Sequence, residues 1–249
     1  MVSFFIKKLE CFKDPNFKFD PKNHQYNYNG TLYTSVTQFI SQFHKKFDQE
    51  FWSKEKAEER GISQQEILNE WKEKNDYANL VGSETHQWIE DYFNGIYRQL
   101  PTNIDIINRI NKFNISYAKD LQKLTPIKFE LKIFSKKYPI AGTIDSLFLY
   151  KDKLIIFDYK TNGKFTNDDH KDGKWEKLLE PFDDIFKNHL NEYSIQVSLY
   201  SLILEEWGFD IKASYLLHIG PNEEDAKIYK AHDFKDKLRT YMDNYNWKK

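Results

Sequence analysis

Two aspartates and a lysine on neighbouring strand-like segments carry the first chemical signal in this sequence of 249 residues. Asp145 closes Gly142-Thr143-Ile144-Asp145, and Asp158 and Lys160 flank Tyr159 in Phe157-Asp158-Tyr159-Lys160. Residues 140–150 and 154–159 are apolar and rich in β-branched and aromatic side chains, and Lys151-Asp152-Lys153 between them is polar enough to turn, so they read as a β-hairpin. Pairing around that turn sets the aspartates on adjacent strands, where side chains on one face approach closely enough to share a cation. Asp158 and Lys160 are two apart, a spacing that points both to the same face of a strand. Carboxylates suit hard cations such as Mg²⁺ and Mn²⁺. A bound cation lowers the pKa of its water and offsets charge growing on a phosphate, and a lysine beside it orients that water or neutralises the transition state. The set has what metal-assisted phosphodiester hydrolysis needs. A lone strand Asp more often marks an edge or a bulge, but aspartates are depleted from strand interiors, and here two interrupt apolar runs beside a lysine.

Further pieces stand in order around these three. His86 lies in Gly82-Ser83-Glu84-Thr85-His86, continuing as Trp88-Ile89-Glu90; Thr161 follows Asp158-Tyr159-Lys160; Gln196 and Tyr200 sit at helical i,i+4 spacing. Together with Gly142-Thr143-Ile144-Asp145 they resemble the PD-(D/E)XK nuclease superfamily, and within it the RecB-like and the phage or mitochondrial-type exonuclease branch. The likeness runs from about residue 80 to 220, with an echo at Asn23-His24-Gln25-Tyr26 and Ser35-Val36-Thr37. It implies that His86, Asp145, Asp158 and the Tyr159 carbonyl hold Mg²⁺ or Mn²⁺, that Lys160 assists the attacking water, and that Gln196, Tyr200 and Thr161 position DNA. It implies an α/β fold with a restriction-endonuclease-like core, a small mixed β-sheet flanked by helices, carrying an N-terminal helical extension. The expected activity is that of a metal-dependent deoxyribonuclease, an exonuclease acting on single-stranded or duplex DNA ends in replication, recombination or repair. The alternatives are a structure-specific or restriction-type endonuclease, and a non-catalytic nucleic-acid-binding protein of the same fold. The intact Asp, Asp and Lys argue against the last, since converging charges are costly to retain without use. Glu90 shares a helix face with His86 and is left without a role. Glu130, in Phe129-Glu130-Leu131-Lys132-Ile133, reads equally as an acid lining the site or as part of a solvated face opposite Phe129, Leu131 and Ile133.

Composition bounds the rest. With 40% hydrophobic residues the chain can bury a core as one domain over 1–249. Within it, 1–80 read as a hairpin and helical region, 81–220 as the catalytic core and 221–249 as a terminal strand and helix. Cys11 is the only cysteine, which excludes a disulfide within the chain and an iron-sulfur cluster held by four thiolates. Phe4-Phe5-Ile6 is too short for a signal-peptide core and no apolar run is of membrane length, so a soluble, cytoplasmic protein is expected. A formal net charge of −1 gives no global pull on nucleic acid. Local patches at His44-Lys45-Lys46, at Lys132 with Lys136-Lys137, and at Lys164 would have to supply it, and an aromatic content of 17% offers rings for stacking on unpaired bases.

The elements that must position these residues follow from pattern. Residues 16–34 read as a strand pair turning at Asn29-Gly30. Ser35 or Thr37 caps a helix through Phe43; a second helix covers 51–60 and breaks at Gly61; Ser63 and Glu66 form a capping box for the next. That helix, or a pair, runs through Trp71 to Tyr92 and carries His86. Residues 104–121 form a helix leading into three strands. Residues 164–191 are polar and poorly periodic, a long loop that can order over substrate. Ile195, Leu199, Leu202 and Ile203 give the Gln196 helix an apolar stripe; 213–220 form a strand and 234–247 a last helix.

Overall fold

A computed structural model describes residues 1–166, 176–221 and 225–247. Helix α1 (Val2–Leu9) packs Phe5 and Leu9 into the core and tightens into a 3-10 turn at Glu10–Phe12. Strands β1 (Phe17–Asp20), β2 (Gln25–Tyr28) and β3 (Thr31–Ser35) follow. Asn29 and Gly30 turn β2 into β3 with φ of 51° and 82°, the left-handed pair whose twist suits a two-residue hairpin. The Ser35 hydroxyl accepts the Gln38 N–H to cap α2 (Val36–Ile40). Asp48 caps α3 (Gln49–Arg60), and Gly61 stops it at φ 64°. The expected capping box of Ser63 and Glu66 opens α4 (Gln64–Phe93), one continuous helix of 30 residues; such a box contributes about 1 kcal/mol. Then come α5 (Ile104–Ser116), wound into a π-helical turn at Tyr117–Leu121, β4 (Thr125–Phe134), β5 (Ile140–Tyr150) and β6 (Lys153–Lys160). The chain closes with α6 (His189–Glu206), β7 (Ile211–His218), β8 (Lys227–Lys230) and α7 (Lys235–Asn244).

The eight strands form one mixed sheet in the order β1-β2-β3-β5-β6-β7-β8, with β4 paired to β5. Ala141 of β5 partners both Ser35 of β3 and Phe134 of β4, while Ser146 partners both Phe157 of β6 and Phe129 of β4. Strands β3 and β6 therefore share one side of β5, opposite β4, and neither pairs with residues 142–145. That gap in the sheet is where the site is built. Helices α1, α2, α6 and α7 cover one face in a core that includes Val36, Ile144, Ile156, Leu199 and Leu238; α4 and α5 cover the other around Ile89, Phe113, Phe148 and Phe157. The result is the expected α/β class, a mixed sheet flanked by helices, consistent with a restriction-endonuclease-like core. Among the described residues no helix is long and apolar enough to cross a membrane.

Several local expectations are corrected. Phe129 packs in the α4/α5 core whereas Leu131 and Ile133 pack in the other, because Glu130 takes φ 46° and breaks the alternation between them. Of the long loop, 167–175 lie outside the described residues. Residues 176–188 are built into the core: Lys177 bridges Phe186, Leu178 and Phe182 are buried, and the Leu179 N–H donates to the Phe43 carbonyl. Helix α6 is buried on nearly every side, not along one stripe. Ile195, Leu199 and Ile203 each contribute roughly 1.5–3 kcal/mol of burial, so α6 is a fixed wall for the gap beside it.

Candidate metal centre

Sheet and helices meet at the gap along β5. Past the Ser146–Phe157 pair the β5–β6 ladder ends, while β6 stays paired to β7 as far as Lys160. The Asp145 carboxylate takes over for the missing strand, accepting the Tyr159 N–H at 2.5 Å. Successive strand residues turn their amide groups to opposite sides, and the Lys160 carbonyl faces β7, where it accepts the Ile219 N–H. The Tyr159 carbonyl is thereby directed to the β5 side, into the gap.

One wall gathers cation donors. His86 of α4 reaches over so that its Nδ1 lies 3.6 Å from Asp145 Oδ1 and 3.7 Å from Glu130 Oε1. The donor atoms of His86, Glu130 and Asp145 all lie within 4.8 Å of one another. Glu130 reaches this group through its left-handed backbone. Two features let α4 lie so close: a Cβ at Gly82 would stand 3.0 Å from Thr161 Oγ1, and the His86 ring meets Tyr159 edge-on at 5.6 Å. Glu90 and Thr161 line the same cleft of about 490 Å³.

The other wall is closed. Asp158 is 1% exposed; its Oδ2 lies 2.7 Å from Lys160 Nζ, and its Oδ1 accepts from Gln196 Nε2 at 3.3 Å. Gln196 Oε1 in turn accepts from Lys160 Nζ at 3.0 Å, and Gln196 Nε2 donates to the Tyr200 hydroxyl at 2.8 Å. Gln196 and Tyr200, expected to face DNA, are buried beneath Asp158 and Lys160 and support them. Asp158, expected among the cation ligands beside Asp145, has its carboxylate 2.7 Å from Lys160, and Glu130 joins His86 and Asp145 in the donor cluster. Gly142 is required here: a Cβ would stand 2.7 Å from Tyr200 Cε1 and 3.1 Å from Val36 Cγ2.

Electrostatics separate the walls as well. Burial disfavours the imidazolium of His86, yet Asp145 and Glu130 push its pKa up to about 10. The two acids thus favour a positive charge between them. Asp145 is drained of water too, but His86 and Lys160 hold its carboxyl below the usual range; burial raises that of Glu130 despite His86. Burial lifts Asp158 to about 6 against the pull of Lys160, while Lys160, though buried, is held protonated above its ordinary value by Asp158 and Asp145.

Three supporting residues have no part in the sequence expectation. Tyr193, one helical turn before Gln196, places its ring 4.1 Å from Lys160 Nζ; its spacing with Gln196 and Tyr200 is a legible signal. Arg109 of α5 donates to the Thr161 carbonyl at 3.2 Å, and His218 Nε2 contacts the Asn162 carbonyl at 2.8 Å. Both brace the turn after Lys160, and neither has a local pattern that reveals it.

No protein-family model matches the chain. It is similar to an ATP-dependent helicase/nuclease subunit of Lactobacillus helveticus (strain DPC 4571), 28% identical over 204 residues that take in 71% of this chain. The chain spans 16% of that relative's length. That similarity supports a nuclease-related family and nothing finer. Among solved structures, the crystal structure of SSO0001 is 14% identical with a TM-score of 0.28, over 53% of this chain and 52% of that one, a likeness too slight to bear on fold or function.

Proposed function

We propose that this chain is a divalent-metal-dependent DNA nuclease, and specifically an exonuclease working from DNA ends. The observation that carries the reading is the His86–Glu130–Asp145 donor cluster standing beside the buried Asp158–Lys160 pair at the gap along β5. The donor set fits a hard cation. His86 Nδ1, 3.6–3.7 Å from one oxygen each of Asp145 and Glu130, and those two carboxylates would hold Mg²⁺ or Mn²⁺ by the oxygen-rich donor set such cations favour. Bound there, such a cation supplies an acidified water and positive charge against the phosphate. Asp158, near enough to Asp145 and His86 to feel their charges, and the Tyr159 carbonyl, directed into the gap, would complete the set.

The chain's own residues do the rest. Lys160, held protonated, orients the attacking water or meets the charge developing on the phosphate. Gln196 keeps Lys160 and Asp158 in register, and Tyr200 keeps Gln196 in place. Thr161, at the mouth of the cleft, is within reach of a substrate phosphate. The likeness to a helicase/nuclease protein supports the nuclease class and DNA as the partner. End dependence is supported by the likeness around His24 and Thr37. There Ser35 caps α2 and Val36 seats against Gly142, so this segment forms part of the wall of the site.

The test is a time course on linear single-stranded, linear duplex and covalently closed circular DNA at one salt concentration, with Mg²⁺, Mn²⁺ or excess EDTA. Cleavage of the linear forms alone, abolished by EDTA, is expected. Equal rates on closed circles would replace the exonuclease by an endonuclease; activity surviving EDTA would end the metal mechanism; DNA binding with no turnover under any metal would leave a non-catalytic binding protein.

A further inference from the structure

A second cavity, of about 650 Å³, runs along the outer edge of β4, bounded by Phe17 and Phe19 of β1, Phe93 at the end of α4, and Lys128. It lies next to the metal cleft, and Glu130 and Lys132 line both. Among the described residues strand β4 pairs only with β5, so the amide and carbonyl groups of its other edge are turned toward this space. The acids on the wall already have partners: Glu10 holds Lys13 at 2.7 Å, Asp14 accepts from the Tyr28 hydroxyl and the Asn16 N–H, and Glu130 faces His86. Lys128 is exposed and Lys132 lies 5.2 Å from the Phe19 ring. Neither forms an ion pair among the described residues, so the ammonium groups of Lys128 and Lys132 stand on this wall without a paired carboxylate.

Apolar rings, two such cations and edge amides, all next to the metal cleft, suit a chain that alternates flat bases with phosphates. We infer that this cavity is a subsite for the unpaired strand on one side of the scissile phosphate, its bases against Phe17 and Phe19 and its phosphates beside Lys128 and Lys132. The inference rests on the nuclease reading and names the substrate form: a cavity of small-ligand size takes a nucleotide or two of single strand, not a duplex. A protein β-strand added to the same edge is the rival occupant, and it would make no use of the unpaired lysines.

The full chain is tested in two assays. Anisotropy of fluorescein-labelled (dT)₁₀ in EDTA reads binding; hydrolysis of thymidine 5′-(p-nitrophenyl phosphate) with Mn²⁺ reads the metal centre without the extended strand. Lys128→Ala, at an exposed position, is expected to weaken (dT)₁₀ binding and lower its salt slope by about 1. Phe19→Ala is expected to weaken binding at least about fivefold, and both variants hydrolyse the small ester as wild type does. If wild type hydrolyses the ester and cuts DNA while Lys128→Ala binds (dT)₁₀ with unchanged affinity and salt slope, the subsite is overturned, the nuclease reading stands, and the edge is left to a protein strand. If wild type neither hydrolyses the ester nor cuts DNA, the nuclease reading fails and takes the subsite with it.

Discussion

On the α4 and β4 side of the cleft, His86, Glu130 and Asp145 bring their donor atoms together while His86 and Glu130 each keep about a quarter of the side chain exposed, at 25% and 26%. On the α6 side, Asp158 and Lys160 are sealed against each other, with Gln196 bonded to both and Tyr200 behind it. The first wall has two acids around one imidazole and an open approach, the arrangement for a charge that comes and goes. The second has already paired its charges. Burying an ion pair costs desolvation that only good geometry and added hydrogen bonds offset, and the Gln196 amide supplies those bonds. The candidate cation donors and the buried charge pair are therefore divided between two layers of the fold that meet at the gap along β5.

The largest effects should separate these walls. Asp145→Asn keeps the shape of the side chain but removes a cation-binding charge, and is expected to lower DNA cleavage about 10³-fold with a smaller loss of stability than Lys160→Ala, since Asn still accepts the Tyr159 N–H. Lys160→Ala should lose cleavage to the same degree and also destabilise the protein by about 3 kcal/mol, because it strands the buried Asp158. Cleavage rates and thermal melts on the two variants test the contrast; equal stability losses would show that the walls are not differently built.

Next comes the metal dependence. His86→Ala is expected to raise the Mn²⁺ concentration for half-maximal activity at least about tenfold, and Mn²⁺ titration by calorimetry should show the same shift. Gln196→Ala, in the third prediction, should leave that midpoint in place and lower turnover by about tenfold, since it loosens Lys160 and Asp158 while leaving His86, Glu130 and Asp145 untouched. A moved midpoint in Gln196→Ala would collapse the distinction.

How much of this is legible in the sequence depends on whether a residue's role is set locally. The hairpin holding Asp145 and Asp158, the turn at Asn29-Gly30 and the box at Ser63 and Glu66 rest on neighbours in sequence, and each has a recognisable pattern. Glu130 stays undecided on sequence because its place in the cluster depends on φ 46° in a strand, which no spacing announces. A terminal strand is expected within 221–249, but its bounds at Lys227–Lys230 offer no apolar alternation long enough to read. Phe182, buried in a segment that reads as a loop, is held by ring contacts with Phe43 and Phe234 far along the chain. Spacing finds Gln196 and Tyr200, but their depth below Asp158 and Lys160 depends on α6 being buried all round.

The smallest effect tests whether the closed wall is set by packing. At Gly142 a new Cβ would meet Tyr200 Cε1 at 2.7 Å and Val36 Cγ2 at 3.1 Å. Neither neighbour can withdraw easily: both are buried, and the Tyr200 hydroxyl accepts from Gln196. Gly142→Ala is therefore expected to destabilise by about 1–3 kcal/mol through overpacking, a fall of a few degrees in melting temperature, roughly 2–4 °C for each kcal/mol in a chain of this size. Any loss of turnover should come with an unchanged Mn²⁺ midpoint, since the push is on Tyr200 and Gln196 and not on the donors. A double-mutant cycle decides the cause. Tyr200→Leu alone opens space beside residue 142 and lowers stability; adding Gly142→Ala on that background should then cost at least about 1 kcal/mol less than it does in wild type. Additive losses would mean that the glycine is needed for its backbone, and that Tyr200 is not what fixes the wall.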